Sequence, residues 1–123
     1  MAQTVMLVED NGFTREGLAA ILRKNGFDVI AVGNGLEALD RLDAGPAPDV
    51  ILLDMLLPVL DGWHFLERLQ KRMSQDVPPI VVTTGTILTR EWAESHGCAG
   101  FLKKPVEEKQ LLAELKHVLP ASA

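Results

Sequence analysis

The segment Asp49–Gly62, DVILLDMLLPVLDG, holds an unbroken apolar run, Val50–Leu53, that stops at a carboxylate, Asp54; Pro58, Asp61 and Gly62 come after it. A continuous apolar run this short describes a strand buried on both faces, as in a parallel sheet covered by helices. Sheets of that kind bind ligands just past the carboxyl ends of their strands. Asp54 therefore stands where such a protein does chemistry. The plainer reading is that Asp54 ends a strand and caps the next segment, and the flanking sequence has to separate the two.

On the N-terminal side, Thr4–Val8 is a short β-branched and apolar strand ending in Glu9 and Asp10. Asn11–Asn25 reads as a helix with Leu18, Ile21 and Leu22 on its apolar face. Asn11 and Thr14 are candidate caps, and Gly26 sits where a left-handed residue is needed. Phe27–Val32 is a second strand, rich in β-branched residues. Leu36–Leu42 places Leu36, Leu39 and Leu42 at helical spacing before the loop DAGPAP.

On the C-terminal side, Trp63–Met73 is a helix with Phe65, Leu66 and Leu69 facing inward, and Pro78–Pro79 introduces a strand, Ile80–Thr83, that ends in Thr84 and Gly85. Thr89 caps a brief helix, Arg90–His96, in which only about two turns fit before Gly97. Gly100–Lys103 is a fifth strand leading to Lys104–Pro105. Glu107–Leu119 is a helix with Leu111, Leu112, Leu115, Val118 and Leu119 on one stripe and acidic residues in its first turn. Five βα repeats with short loops predict an α/β fold: a doubly wound parallel sheet with helices on both faces and right-handed connections.

Composition bounds the function. At 123 residues, 47% of them apolar, the chain predicts one domain over residues 1–123. No window approaches the roughly 18 unbroken apolar residues of a membrane span. MAQTVMLVED lacks the basic flank of a secretory signal, and the single cysteine, Cys98, permits no internal disulfide and no thiolate zinc cluster. A cytoplasmic protein without membrane contact is expected. A net charge of −5 without any Lys/Arg run argues against nucleic acid as a direct ligand.

In a parallel sheet the strand ends gather at one edge, so Glu9, Asp10, Asp54, Thr84 and Lys104 are expected to converge. Packed carboxylates repel one another unless a cation compensates. Carboxylate oxygens with retained water suit Mg²⁺, and no soft-metal ligand set is present. A hydroxyl and an ammonium beside them suit the oxygens of a phosphoryl group. Each residue also has a bland role: Glu9 and Asp10 as helix caps, Thr84 as a core hydroxyl, Lys104 as a solvated strand end.

The acidic pair Glu9–Asp10, Asp54 followed by Pro58-x-x-Asp61-Gly62, Thr84, and Lys104–Pro105, each placed after its own strand, together resemble the receiver domain of bacterial two-component response regulators. The resemblance covers essentially the whole chain, in the stand-alone form of that domain. It implies a flavodoxin-like strand order 2-1-3-4-5 and a phosphoryl acceptor at Asp54. It implies Mg²⁺ held by Asp10, Asp54 and the backbone carbonyl of Leu56, with Glu9 helping through water. Thr84 and Lys104 would contact the phosphoryl group, and Phe101 stands at the aromatic switch position. The implied partners are a histidine kinase or histidine phosphotransfer protein and a downstream protein, the chain being a monomer or weak dimer. It would act as a phosphoryl acceptor and not as an enzyme.

Some positions depart from that pattern. The Thr84–Lys104 segment is shorter than in many receivers, Gly85 replaces a frequent alanine, and Leu56 is apolar where many members are polar. Trp63 and Trp92 are expected as partial core or interface residues, with Trp63 a prospective fluorescent reporter of Mg²⁺. His64, His96 and His117 are expected to be solvated and without acidic partners. Two other readings stay open. A Mg²⁺-dependent phosphatase of haloacid-dehalogenase type would want a second Asp at position 56, and a receiver-like interaction module would no longer accept phosphate.

Overall fold

The computed structural model describes residues 2–57, 60–73, 76–85 and 87–119. Pro58 of the Pro58-x-x-Asp61-Gly62 motif and the tail from Pro120 lie outside these residues. The element order is β1 (Thr4–Val8), α1 (Gly12–Lys24), β2 (Asp28–Val32), α2 (Gly35–Ala44), β3 (Val50–Asp54), α3 (Gly62–Met73), β4 (Ile80–Thr84), α4 (Arg90–Ser95), β5 (Gly100–Lys103) and α5 (Glu108–Val118). The strands form one sheet in the order β2-β1-β3-β4-β5, with every pairing parallel. This is the expected order.

Side-chain alternation divides the core in two. Val5 and Leu7, Val50 and Leu52, Val81 and Leu102 pack with Leu18 and Leu22 of α1 and Leu111 and Leu115 of α5. The intervening Met6 and Val8, Ile51 and Leu53, Ile80 and Val82 pack with Leu39 of α2, Phe65 and Leu69 of α3 and Ala93 of α4. Both faces of β3 are thus covered, which is why Val50–Leu53 is apolar without alternating.

Differences from expectation are local. β2 begins at Asp28 because the Phe27 amide is taken by the Leu22 carbonyl, closing the end of α1 around Gly26, whose φ is 90°. That left-handed value is nearly free only for glycine. α2 runs longer than its leucine spacing, starting at Gly35 under an Asn34 cap that accepts the Glu37 amide at 2.9 Å. Leu36 is exposed, and Ala38 and Leu39 carry the buried face instead. The short α4 exists, capped by Thr89, whose hydroxyl oxygen accepts the Trp92 amide at 3.1 Å. Among the described residues no helix is long and apolar enough to cross a membrane.

Candidate functional site

The alternation that builds the α1/α5 core runs to the last residue of β3 and one step past β1 and β5. After Val5 and Leu7 comes Glu9; after Val50 and Leu52 comes Asp54; after Leu102 comes Lys104. A period of two sends all three side chains to the same side of the sheet edge, and there they meet. Lys104 Nζ donates to Asp54 Oδ2 at 3.0 Å and to Glu9 Oε1 at 2.7 Å. Glu9 and Asp54 are only 1% and 3% exposed, and the ammonium between them offsets the cost of burying two carboxylates. Burial works against the Lys104 charge, but hydrogen bonds to Glu9 and Asp54 outweigh it and hold the ammonium above its ordinary pKa.

The remaining carboxylate oxygens are also engaged. Asp54 Oδ1 accepts the Leu56 amide at 3.0 Å, and Glu9 Oε2 accepts the Asn11 amide at 3.1 Å. Asp10 is exposed, and one oxygen from each of Glu9, Asp10 and Asp54 lies within 4.8 Å of the others. The donor set is all hard oxygen with one side open to solvent, which fits a cation that keeps part of its water shell, as Mg²⁺ does. Glu9 and Asp10 do not cap α1; that role belongs to Asn11, whose side chain accepts the Thr14 amide at 3.0 Å.

Thr84 and Phe101 have the other parity. Thr84 continues the series Ile80 and Val82 and is fully buried, and Phe101, paired with Val82, packs against the core under α2, α3 and α4. The Thr84 carbonyl accepts the Lys104 amide at 2.9 Å, so β4 and β5 stay in register to the edge of the site. The Lys104–Pro105 bond is cis.

Gly62 sets how closely α3 approaches this loop. A Cβ there would stand 2.6 Å from Met55 Sδ and 2.8 Å from Met55 Cα, one residue from Asp54. Backbone cannot yield as a side-chain tip can. Gly62→Ala is therefore expected to lose about 1–3 kcal/mol through overpacking, read as a lower urea midpoint at unchanged m-value.

Sequence reasoning missed several neighbours. Arg15 Nη1 donates to the carbonyl oxygens of Glu9 at 3.0 Å and Asp10 at 3.4 Å, tying the acidic turn to α1; helical spacing alone gave no signal for it. Phe13 and Ile87 are exposed apolar side chains placed after β1 and β4, so with Leu56, already singled out in the sequence, they share the sheet edge that carries the carboxylates. His64 does have an acidic partner: its Nδ1 lies 2.9 Å from Asp61 Oδ1, and that oxygen also accepts the His64 amide. The amide bond holds Asp61 below its ordinary pKa. His96 is half-buried, stacking on Trp92 with ring centroids 4.3 Å apart, while Trp63 meets both rings, joining α3 to the end of α4. Cys98 is buried, which pushes its thiol up to about 11 and leaves it protonated at neutral pH.

Known proteins are similar to this chain in sequence and in fold. The protein PilH of Pseudomonas aeruginosa is 32% identical over 117 residues, covering 94% of this chain and 96% of PilH. The phosphate regulon transcriptional regulatory protein PhoB of Escherichia coli is 32% identical over 121 residues, covering 97% of this chain and 52% of PhoB, so the chain spans about half the length of such relatives. The high-resolution structure of the chemotaxis response regulator CheY4 of Vibrio cholerae superposes with a TM-score of 0.86 at 26% identity, covering 97% of this chain and 100% of CheY4. The family model described as the response regulator receiver domain matches residues 5–116. With its parallel sheet, acidic edge and paired lysine, the chain belongs to the response regulator receiver domain family, the phosphoryl-accepting module of two-component signalling.

Proposed function

We propose that Asp54 is the phosphoryl acceptor of this receiver domain and that residues 1–123 act as a single module that passes a signal to a protein partner. The observation that carries the reading is the cradle around Asp54: a buried carboxylate held at both oxygens, by Lys104 and by the Leu56 amide, beside the open Asp10. A phosphohistidine of a histidine kinase or phosphotransfer protein is the donor. An Asp54 oxygen attacks phosphorus, the P–N bond breaks, and its electron pair stays on the imidazole nitrogen, which takes a proton. Asp54 becomes an acyl phosphate.

Glu9, Asp10, Asp54 and the Leu56 carbonyl are the residues that would hold Mg²⁺, Glu9 through water. When bound, the ion neutralises charge on the transferring group. Lys104 supplies a fixed positive charge beside the same oxygens. The product adds roughly one and a half to two negative charges, drawing Lys104 and the Thr84 hydroxyl toward it. Phe101, on the same side of the sheet as Thr84, then turns into the space vacated. Contacts made in only one of two packings shift the population between them.

The chain assists its own phosphorylation and dephosphorylation but turns over no separate substrate. Its negative charge favours a protein as the downstream target, with the chain a monomer or weak dimer in the cytoplasm. Leu56 occupies the place where a haloacid-dehalogenase-like phosphatase would carry its second acid, and it is 62% exposed. An apolar side chain at this rim disfavours the water that would attack the acyl phosphate. Leu56→Asn is expected to shorten the lifetime of the phospho-form several-fold, measured as loss of label after the donor is removed; a longer lifetime would contradict this role.

The direct test is incubation with acetyl phosphate, with and without Mg²⁺, and then peptide mapping. Mg²⁺-dependent label on the peptide containing Asp54 is expected. Label elsewhere, or none with purified histidine kinases of the source organism, overturns the assignment.

A further inference from the structure

β5 closes the sheet on one side, so one row of its peptide groups has no ladder partner. At Phe101 both groups are taken by an ion pair. Its N–H donates to Glu114 Oε1 at 3.3 Å, and its carbonyl accepts from Arg90 Nη2 at 3.2 Å. Arg90 and Glu114 are themselves joined at two points, Nη1 to Oε1 at 2.9 Å and Nη2 to Oε2 at 3.1 Å. Two-point, charge-assisted bonds of this kind are the stronger and more directional ones.

The fork is a built feature. Glu114 is 12% exposed and lies over Gly100, where a Cβ would stand 2.8 Å from its Oε1 and 3.2 Å from its Cγ. The absent side chain of Gly100 is thus the socket for the carboxylate. Their mutual hydrogen bonds raise the Arg90 pKa and lower that of Glu114, so both stay charged through the neutral range. Glu114 belongs to α5, whose Leu111 and Leu115 are fully buried, whereas Arg90 opens α4, which buries only Ala93. One end of the fork is anchored and the other rides on a lightly held helix.

We propose that Arg90 and Glu114 are positioning residues for the switch, a latch that holds the backbone of Phe101 and the start of α4 in the unphosphorylated arrangement. The inference rests on Asp54 as the acceptor and on Thr84 and Phe101 as the residues that respond to it. A move of Thr84 toward a phosphoryl group on Asp54 draws on the short connection to Arg90 and pulls its guanidinium away from a fixed carboxylate. Hydrogen bonds weaken steeply with misalignment, so the fork contributes to one arrangement more than to the other. It therefore biases the equilibrium against phosphorylation.

The test is calorimetric titration of the whole chain with beryllofluoride, a phosphoryl mimic, in saturating Mg²⁺. Arg90→Gln and Glu114→Gln are expected to bind it roughly fivefold more tightly than wild type, at the low end of coupling between sites, while their urea midpoints fall. A residue that only supported the fold would lower the midpoint and leave the affinity alone. Arg90→Lys keeps the charge, loses the fork and is expected to move the same way, carrying the test if a Gln variant does not fold. Folded variants that bind the mimic no more tightly than wild type overturn the latch alone. Wild type that fails to bind it, or an Asp54→Asn control that binds equally well, removes the assignment beneath it.

Discussion

Asp54→Asn is expected to abolish Mg²⁺-dependent labelling by acetyl phosphate. In the reaction proposed for this site the carboxylate is the attacking group, and the amide that replaces it is a poor nucleophile of nearly the same shape. The fold should survive with a modest loss. In the wild-type protein both oxygens accept, one from Lys104 and one from the Leu56 amide. Asparagine offers one acceptor and one donor group, so either orientation sets its NH₂ against another donor. A mismatch of that kind costs about 1–3 kcal/mol when buried. Far-ultraviolet circular dichroism should be unchanged, the urea midpoint lowered and the label absent. Normal labelling of this variant, mapped to another residue, would sink the acceptor assignment.

Lys104→Met should give the largest loss of stability among the site variants, and one that Mg²⁺ largely repairs. Without the ammonium, Glu9 Oε1 and Asp54 Oδ2 lose their shared donor and two nearly buried carboxylates face each other. Removing one partner of a fully buried pair costs about 3–5 kcal/mol; Lys104 is 27% exposed, and solvent reduces the loss to about 2–3 kcal/mol. Urea unfolding in EDTA reads the loss, and repetition in Mg²⁺ should stabilise the variant more than wild type, because an ion in the proposed site restores positive charge at the same oxygens. A variant as stable as wild type in EDTA would show that the lysine contributes nothing to holding the carboxylates. The raised Lys104 pKa fixes the sign of the pH dependence. Stability from a raised basic group is present below its unfolded value, about 10.4, and lost as pH rises through the folded one. The difference between variant and wild type should accordingly persist across neutral pH and shrink only in strong alkali.

Much of this arrangement was legible in the residues. The run Val50–Leu53 identified a strand buried on both faces, and the strand ends supplied the acid, hydroxyl and lysine that the structure gathers at one edge. The five βα repeats required a parallel sheet, but the strand order came from resemblance, because apolar runs specify burial and not neighbours. Leucine spacing misjudged α2: Leu36 is exposed and the smaller Ala38 takes the buried place. Arg15 could not be foreseen because its partners are carbonyl oxygens, which every residue has. Nor could Arg90 and Glu114, whose meeting depends on a glycine that leaves room for it. The histidines divide: His64 and His117 are exposed as expected, but Asp61, three residues before His64, pairs with it, and His96, just past α4, stacks on Trp92 and meets Trp63 of α3.

Glu9, Asp54 and Lys104 meet because each continues the alternation of its own strand, and that has a consequence for how such a chain can diversify. Inserting one residue in β1, β3 or β5 would turn Glu9, Asp54 or Lys104 to the opposite side of the sheet, whatever the loops did afterward. Insertions in the outer connections carry no such penalty. Descendants of this chain are free to acquire new partners by rewriting the periphery, while the strands, counted residue by residue, hold the chemistry to a single frame.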